Sequence, residues 1–401
     1  MPVMFQKRLK GPGNHILDSF LKPCALGLFL GLVPLWSEAA TSATTLPAEA
    51  SDLPPDVAMN RDAGREMWLF VNLRVDGQEL PFFVDTGTTR TLLDESLEPV
   101  LGKRLGTGEV RHFEATLQLA RYAAPQLYLG NTPLTTAQDI YTCDLKHLSL
   151  LAGRPVMGIL GMDCLKHYCV QLDFQAGKIH FLNPEQTDVA KESKTFPLMF
   201  YQDCPFIQHA GVTGGTVAKS LIDTGCTEDA MVESLPGAGN GSDSVELPEC
   251  LWDGEIHTNL CVSLNDSLPL GKHSNSLGLR FLARHLVTLN FPKHELYLRQ
   301  TSVGPLVDED LAAAVAFLHN LKTEGRQPGW SKDDCGDFSW PESAANSYTF
   351  RIMKKGDSST YHYIVTRTSK SDPWKLQKAW RTDQRGNKIE EYLLSGTGLV
   401  L

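Results

Sequence analysis

The chain has 401 residues, 42% hydrophobic and 21% charged, which is room for two or three domains that each bury a core. Its formal net charge of -10 at pH 7, with no Lys/Arg run longer than a pair, excludes an electrostatic grip on nucleic acid. There is no C-x-x-C, and the 12 His lack the spacing to Cys or to one another that metal sites use, so the sequence predicts neither a metal nor a cofactor.

In chain order, Lys7, Arg8 and Lys10 precede the apolar run "CALGLFLGLVPLW" and the small-residue stretch "SEAATSA". That is the pattern of an export signal over residues 1–40, with Ala39 as the preferred cleavage point. The apolar run is shorter than the roughly 20 residues that span a bilayer. The expected location is periplasmic or secreted, or membrane-anchored if the signal is retained. Residues 41–64, rich in Ala, Thr and Pro, read as a spacer. Beyond the signal stand cysteines 143, 164, 169, 204, 226, 250, 261 and 335, an even number in a compartment that permits disulfides, with pairing open.

Residues 65–190 form the first folded unit. In "LFVNLRVDGQELPFFVDTGTTRTLLD" apolar and polar residues alternate around Asp76-Gly77, which predicts a hairpin running into a strand that ends at Asp85. Residues 191–302 repeat the plan. In "FIQHAGVTGGTVAKSLIDTGCTEDAMV" Gly215 lies eight residues before Asp223, as Gly77 lies eight before Asp85. Downstream, "GILGMDCLKHYCVQLDFQAGKIHFL" around Gly161 matches "NSLGLRFLARHLVTLNFPKHELYL" around Gly278, with Phe174 and Phe291 thirteen residues after each Gly. This common register marks a duplicated unit. The stretch 234–244 reads as a surface loop, and Asn240 and Asn265 lie in glycosylation sequons.

From 303 to 401 the character changes. "DEDLAAAVAFLHNL" has acidic residues in its first turn and an Ala/Leu-rich body, which predicts a helix. "SYTFRIMKK", "TYHYIVTRTSK", "WKLQKAWRTD" and "KIEEYLL" read as antiparallel strands. Charges balance here and four of the seven Trp fall here, so this is expected to be a small α+β domain.

Each repeat carries D-T-G at the end of an apolar strand, a turn, and later an apolar pair followed by Gly. Gly87 and Gly225 let the backbone turn sharply behind Asp85 and Asp223. Thr86 and Thr224 can hydrogen-bond across a two-fold junction and fix one loop against the other. Two such loops face to face would hold two carboxylates about one water. At ~3 Å the pair cannot both ionise and would share a proton. One carboxylate then takes a proton from water while the other protonates a carbonyl oxygen.

With these residues in view, the chain resembles the aspartic proteases, and specifically their retropepsin-like group. The resemblance rests on "FFVDTGTTRTLL" with "GILGMDCL" and "SLIDTGCTEDAMV" with "NSLGLRFL", and covers roughly residues 65 to 300. It implies a mainly β, bilobal fold built from two duplicated β lobes, here with the α+β domain appended. It also implies Asp85 and Asp223 as the catalytic dyad, Thr86 and Thr224 as interlocked threonines, and Gly161 and Gly278 as glycines beneath the loops. With both motifs in one chain, as in pepsin-like enzymes, the expected state is a monomeric endopeptidase acting on peptides or proteins. The same resemblance assigns the residue after each Gly, Thr88 and Cys226, a hydrogen bond to the outer oxygen of its Asp. Cys226 stands where a hydroxyl is usual. A flap is expected at 105–113, reduced in the second repeat, where 55 residues separate Asp223 from Gly278 against 76 between Asp85 and Gly161. The competing class is a non-catalytic peptide- or envelope-binding protein on the same fold.

Overall fold

The computed structural model describes residues 53–400 except 66, 113–114, 186–190, 211–216, 233–243, 265–274, 333–335, 345, 355–356, 384–385, 393 and 396–398. The export signal, residues 41–52 of the spacer, Gly215, the loop 234–243, both sequons and Cys335 lie outside the described residues. The end of the expected spacer is instead part of the folded lobe: Val57 and Ala58 pair antiparallel with Ile179 and Lys178, and Met59 and Ala63 are buried in the core. The protein is mainly β, and its described residues divide into two compact units. One comprises the chain up to Leu145 with Val156–Leu306, and the other comprises Lys146–Pro155 with the segment from Val307 onward.

The larger unit holds the two lobes. In the first, β1 (Phe70–Val75) and β2 (Gln78–Val84) form the expected hairpin, in which Val75 pairs with Gln78. Asp76 and Gly77 turn it with φ of 47° and 80°, the left-handed pair that a two-residue hairpin requires. Then follow β3 (Leu92–Asp94), β4 (Arg104–His112), β5 (Ala115–Ala123), β6 (Asp139–Cys143) and β7 (Gly158–Leu160). The one-turn helix α1 (Met162–Leu165) leads into the hairpin β8 (Cys169–Asp173) and β9 (Lys178–Leu182).

The second lobe repeats this as β10 (Cys204–Ala210), β11 (Val217–Asp223), β12 (Ala230–Val232), β13 (Ser244–Trp252), β14 (Glu255–Leu264) and β15 (Asn275–Gly278). Helix α2 (Leu279–Leu282) and the hairpin β16 (His285–Asn290) and β17 (Glu295–Gln300) close it.

The strand orders are those of a duplication. The first sheet contains β4-β5-β6-β3-β7-β2-β1 and the second β13-β14-β12-β15-β11-β10, so that β13 corresponds to β5 and β14 to β6. Among the described residues nothing in the second sheet corresponds to β4. The hairpin β4–β5 thus has no counterpart among the described residues of the second lobe, and residues 105–112 of the expected flap segment lie in its outer strand. The largest part of the length difference lies between β5 and β6, joined by residues 124–138, whereas Asp253 and Gly254 alone join β13 to β14. The lobes are joined edge to edge through one six-stranded sheet. In it β8 pairs antiparallel with β16, Gln171 opposite Thr288, and the Gln171 amide donates to the Thr288 hydroxyl at 2.9 Å. Phe174 and Phe291, the residues in common register, are both buried in the core that this sheet caps.

In the C-terminal unit, α3 (Glu309–Thr323) is capped by the Asp308 carboxylate, which accepts from the Asp310 and Leu311 amides. It buries Leu311, Ala314, Val315, Leu318 and Leu321, a single stripe at helical spacing. An antiparallel meander follows: β18 (Gly336–Ala344), β19 (Ser347–Lys354), β20 (Thr360–Thr366), β21 (Lys375–Thr382) and β22 (Lys388–Tyr392). Alternate residues Tyr348, Phe350 and Ile352 on β19, and Tyr361, Tyr363 and Val365 on β20, are buried. The four strands expected from sequence are present, and β18 is an addition whose Pro and Gly content hid it.

Candidate active site

Each D-T-G strand runs parallel to the strand of its apolar-apolar-Gly motif. Val84 pairs with Leu160 in the first lobe, and Asp223 with Gly278 in the second. The loop after each Asp folds back over the motif glycine. The Met162 amide donates to the Thr88 carbonyl at 2.8 Å, and the Leu279 amide to the Cys226 carbonyl at 2.6 Å. A Cβ on Gly161 would lie 2.6 Å from the Arg90 carbonyl oxygen, and one on Gly278 would overlap the Glu228 carbonyl. Only glycine leaves room for these loops.

The two loops interlock through their threonines. The Thr86 amide donates to the Thr224 hydroxyl oxygen at 3.0 Å, and the Thr224 amide to the Thr86 hydroxyl oxygen at 3.0 Å. Each hydroxyl in turn donates to a strand carbonyl of the opposite lobe, Thr86 to Ile222 at 2.6 Å and Thr224 to Val84 at 2.8 Å. All four groups are buried, where a hydrogen bond is stronger and an unmade one costlier than in water.

This reciprocal lock brings Asp85 and Asp223 together. Their carboxyl groups lie against one another, with Asp223 Oδ1 and Asp85 Oδ1 both within 3.1 Å of the position a Cβ on Gly87 would take, and both residues are buried. A Cβ on Gly87 would lie 2.7 Å from Asp223 Oδ1, and one on Gly225 2.5 Å from Asp85 Oδ1. The carboxyl pair is thus held between the two glycines. Each Asp Oδ1 accepts from the amide two residues on, Gly87 or Gly225, at 2.8 Å.

The loops differ in the next donor. The Thr88 hydroxyl donates to Asp85 Oδ2 at 2.5 Å. The Cys226 thiol makes no such bond to Asp223; it lies over Gly278 and faces the Ser276 hydroxyl. The family-implied contact at Cys226 is therefore not formed, and the residue beside the thiol is Ser276, where the first lobe has Ile159. Burial raises the Asp85 pKa to about 6, against which the Thr88 and Gly87 donors act. Burial, with the Asp85 charge added, pushes Asp223 well above the usual carboxylate range. The Thr88 hydroxyl, which has no equivalent on Asp223, favours the ionised form of Asp85.

Residues 71–164 match the family model described as aspartyl protease. The aspartyl protease match contains Asp85, Thr86, Gly87, Thr88 and Gly161, and it supports a protease-like function. It ends before the second D-T-G, which the structure places opposite the first. A solved structure similar to this chain is that of basic 7S globulin from soybean, 12% identical, covering 63% of this chain and 96% of that one with a TM-score of 0.43. No curated protein matches the chain.

Several supporting residues escaped sequence reasoning. The Trp68 indole donates to the Gly225 carbonyl at 2.9 Å, and the Cys204 thiol to the Gly87 carbonyl at 3.4 Å, so each lobe sends one donor to the opposite loop. Beneath the first loop, Asp163 accepts from the Thr91 amide and hydroxyl, each at 2.7 Å. Beneath the second, Asp229 accepts from Arg284 Nε at 2.9 Å, and both residues are buried. The remaining Arg284 nitrogens donate to the Thr258, Val303 and Asn259 carbonyls at 2.8, 2.9 and 3.1 Å. No spacing rule joins these residues. The one legible signal is the charged Arg284 inside an apolar run, which needs a buried partner. Cys143, Cys164, Cys169, Cys204 and Cys226 are free thiols, and burial is the first cause holding each thiol pKa high.

Proposed function

We propose that the chain is an exported aspartic endopeptidase that hydrolyses peptide bonds with water activated by Asp85 and Asp223. The observation that carries this reading is the reciprocal threonine lock, which holds two buried carboxyl groups against one another. A pair so placed retains one proton, the state that acid-base attack on an amide requires.

Asp85, with two donors of its own, is the base, and Asp223, with the proton, is the acid. As water attacks the scissile carbonyl carbon, one of its protons passes to Asp85 and the Asp223 proton passes to the carbonyl oxygen. A gem-diol results, and Asp223 is left ionised. On collapse a diol hydroxyl returns its proton to Asp223, the C–N bond breaks, and Asp85 protonates the leaving nitrogen. The pair ends as it began, and neither step uses a covalent nucleophile. Hairpin β4–β5 is the proposed flap over substrate. The basic residues and apolar run before residue 40 support export.

The test is cleavage of a mixed peptide library by the purified full chain, with and without a statine-type mimic of the gem-diol. Cleavage that the mimic blocks, and that Asp85→Asn and Asp223→Asn each abolish, is the expected result. A folded chain that binds peptides without cutting them would favour the binding-protein reading.

A further inference from the structure

The second lobe gathers three ligand-type side chains outside the dyad's own hydrogen-bonding network. Glu255 and His257 stand two apart on β14, on one face of the strand, and His285 opens β16. One ligand atom from each lies within 4.8 Å of the other two. In sequence the two imidazoles are 28 residues apart, which is why no motif announces them.

The polar atoms of this cluster are arranged for a cation. His285 Nδ1 lies 3.1 Å from the Phe281 carbonyl oxygen. A carbonyl only accepts, so that nitrogen carries the hydrogen and Nε2 is left to face Glu255. Nε2 lies 3.2 Å from Glu255 Oε2, which is an acceptor. The contact therefore needs positive charge between the two atoms, supplied by a second ring proton or by a metal cation. A ligating His is ordinarily oriented in this way, by a backbone carbonyl on its other ring nitrogen.

His257 supplies an independent observation. It is fully buried, and neither ring nitrogen has a hydrogen-bond partner among the described residues. Leaving such a group unpaired costs about 1–3 kcal/mol. Its Nε2 is 3.7 Å from the same Glu255 Oε2, beyond a hydrogen bond. Tetrahedral zinc with N and O ligands at about 2.0–2.2 Å sets those ligands roughly 3.3–3.5 Å from one another. The separations of 3.2 and 3.7 Å bracket that spacing. Lys194 approaches the cluster, but its Nζ lies 3.5 Å from Oε1, the other oxygen of Glu255. The rings of Trp252 and Phe281 wall the site, with centroids 6.2 and 5.1 Å from that of His257.

We propose that Glu255, His257 and His285 form a zinc site that ties the hairpin β13–β14 to β16. Two imidazoles and one carboxylate suit zinc and are foreign to calcium or magnesium, which take oxygen ligands. The site joins a strand of the lobe's own sheet to the sheet shared between lobes, beside Arg284, and its three protein ligands leave the fourth zinc position to water.

The experiment is a calorimetric titration of the full chain, freed of metal by a chelator, with zinc chloride. Uptake of one zinc per chain with a raised Tm is expected, together with a cobalt(II) spectrum free of thiolate charge transfer. His257→Phe, which fits the aromatic surroundings, should weaken binding about a hundredfold, and Glu255→Gln at least about tenfold. No zinc uptake by the wild-type chain would overturn the site, as would a thiolate band with cobalt. Unchanged affinity in folded Glu255→Gln would do the same, and that variant decides the matter if His257→Phe misfolds.

Discussion

The two D-T-G loops share a backbone and differ in nearly every side chain that touches it. Their amide-to-carboxylate bonds are equal at 2.8 Å, and their reciprocal threonine bonds are equal at 3.0 Å. Around this frame the first loop uses hydroxyls, with Thr88 on Asp85 and Thr91 on Asp163. The second uses a thiol turned aside and a buried ion pair, Asp229 with Arg284. The frame brings the carboxyl groups together, and the asymmetry decides which one keeps the proton. Duplication thus yields a symmetric scaffold with unequal acids, which an acid-base cycle needs.

The comparison breaks most completely if either acid is removed. Asp85→Asn and Asp223→Asn should each lower kcat/KM on a peptide substrate by 10⁴-fold or more, on the order of what loss of a dedicated acid-base group costs. Each should at the same time raise Tm at neutral pH, because a neutral amide relieves the repulsion of the pair. The pair's pKa values are raised in the folded state, so that state holds protons which the unfolded chain releases near pH 4. The pair's contribution to stability is therefore most favourable in acid and falls as pH rises through about 6. Moving Asp85 from 3.8 to about 6 accounts for about 3 kcal/mol of that fall. Denaturant titrations at several pH values should show the decline in wild type and a flatter curve in Asp223→Asn.

Next come the braces. Arg284→Met removes the fully buried partner of Asp229, leaving that carboxylate the Cys261 amide at 2.8 Å and Arg280 at 3.5 Å, and should cost about 3–5 kcal/mol of unfolding free energy. Thr91→Val removes one hydroxyl from Asp163 but leaves the amide bond, and should cost about 1–3 kcal/mol. If the two losses prove equal, the lobes are braced alike and the contrast fails.

The finest distinction lies in the residue after each Gly. Thr88→Ala removes a donor that favours ionised Asp85, so the acid limb of the kcat/KM profile should move to higher pH. Cys226→Ser should leave the profile superimposable on wild type, since the thiol faces Ser276 instead of Asp223. A shift of its basic limb to lower pH would mean that residue 226 reaches the carboxyl after all.

The sequence by itself determined the local frame. Strand periodicity, the Asp76-Gly77 turn, the paired D-T-G motifs and the register from Gly161 to Phe174 and from Gly278 to Phe291 are properties of short segments, in which backbone sterics and alternation act alone. The Asp308-capped helix and the strands after it were legible for the same reason. Only the tertiary structure decided the contacts made across the fold: Trp68 on Gly225, Cys204 on Gly87, Arg284 on Asp229, and His257 beside His285. A buried polar group is satisfied by whichever partner the packed core brings within about 3 Å. Sequence separation does not constrain that choice, so Cys226 could be placed in the loop from sequence while the direction of its thiol could not.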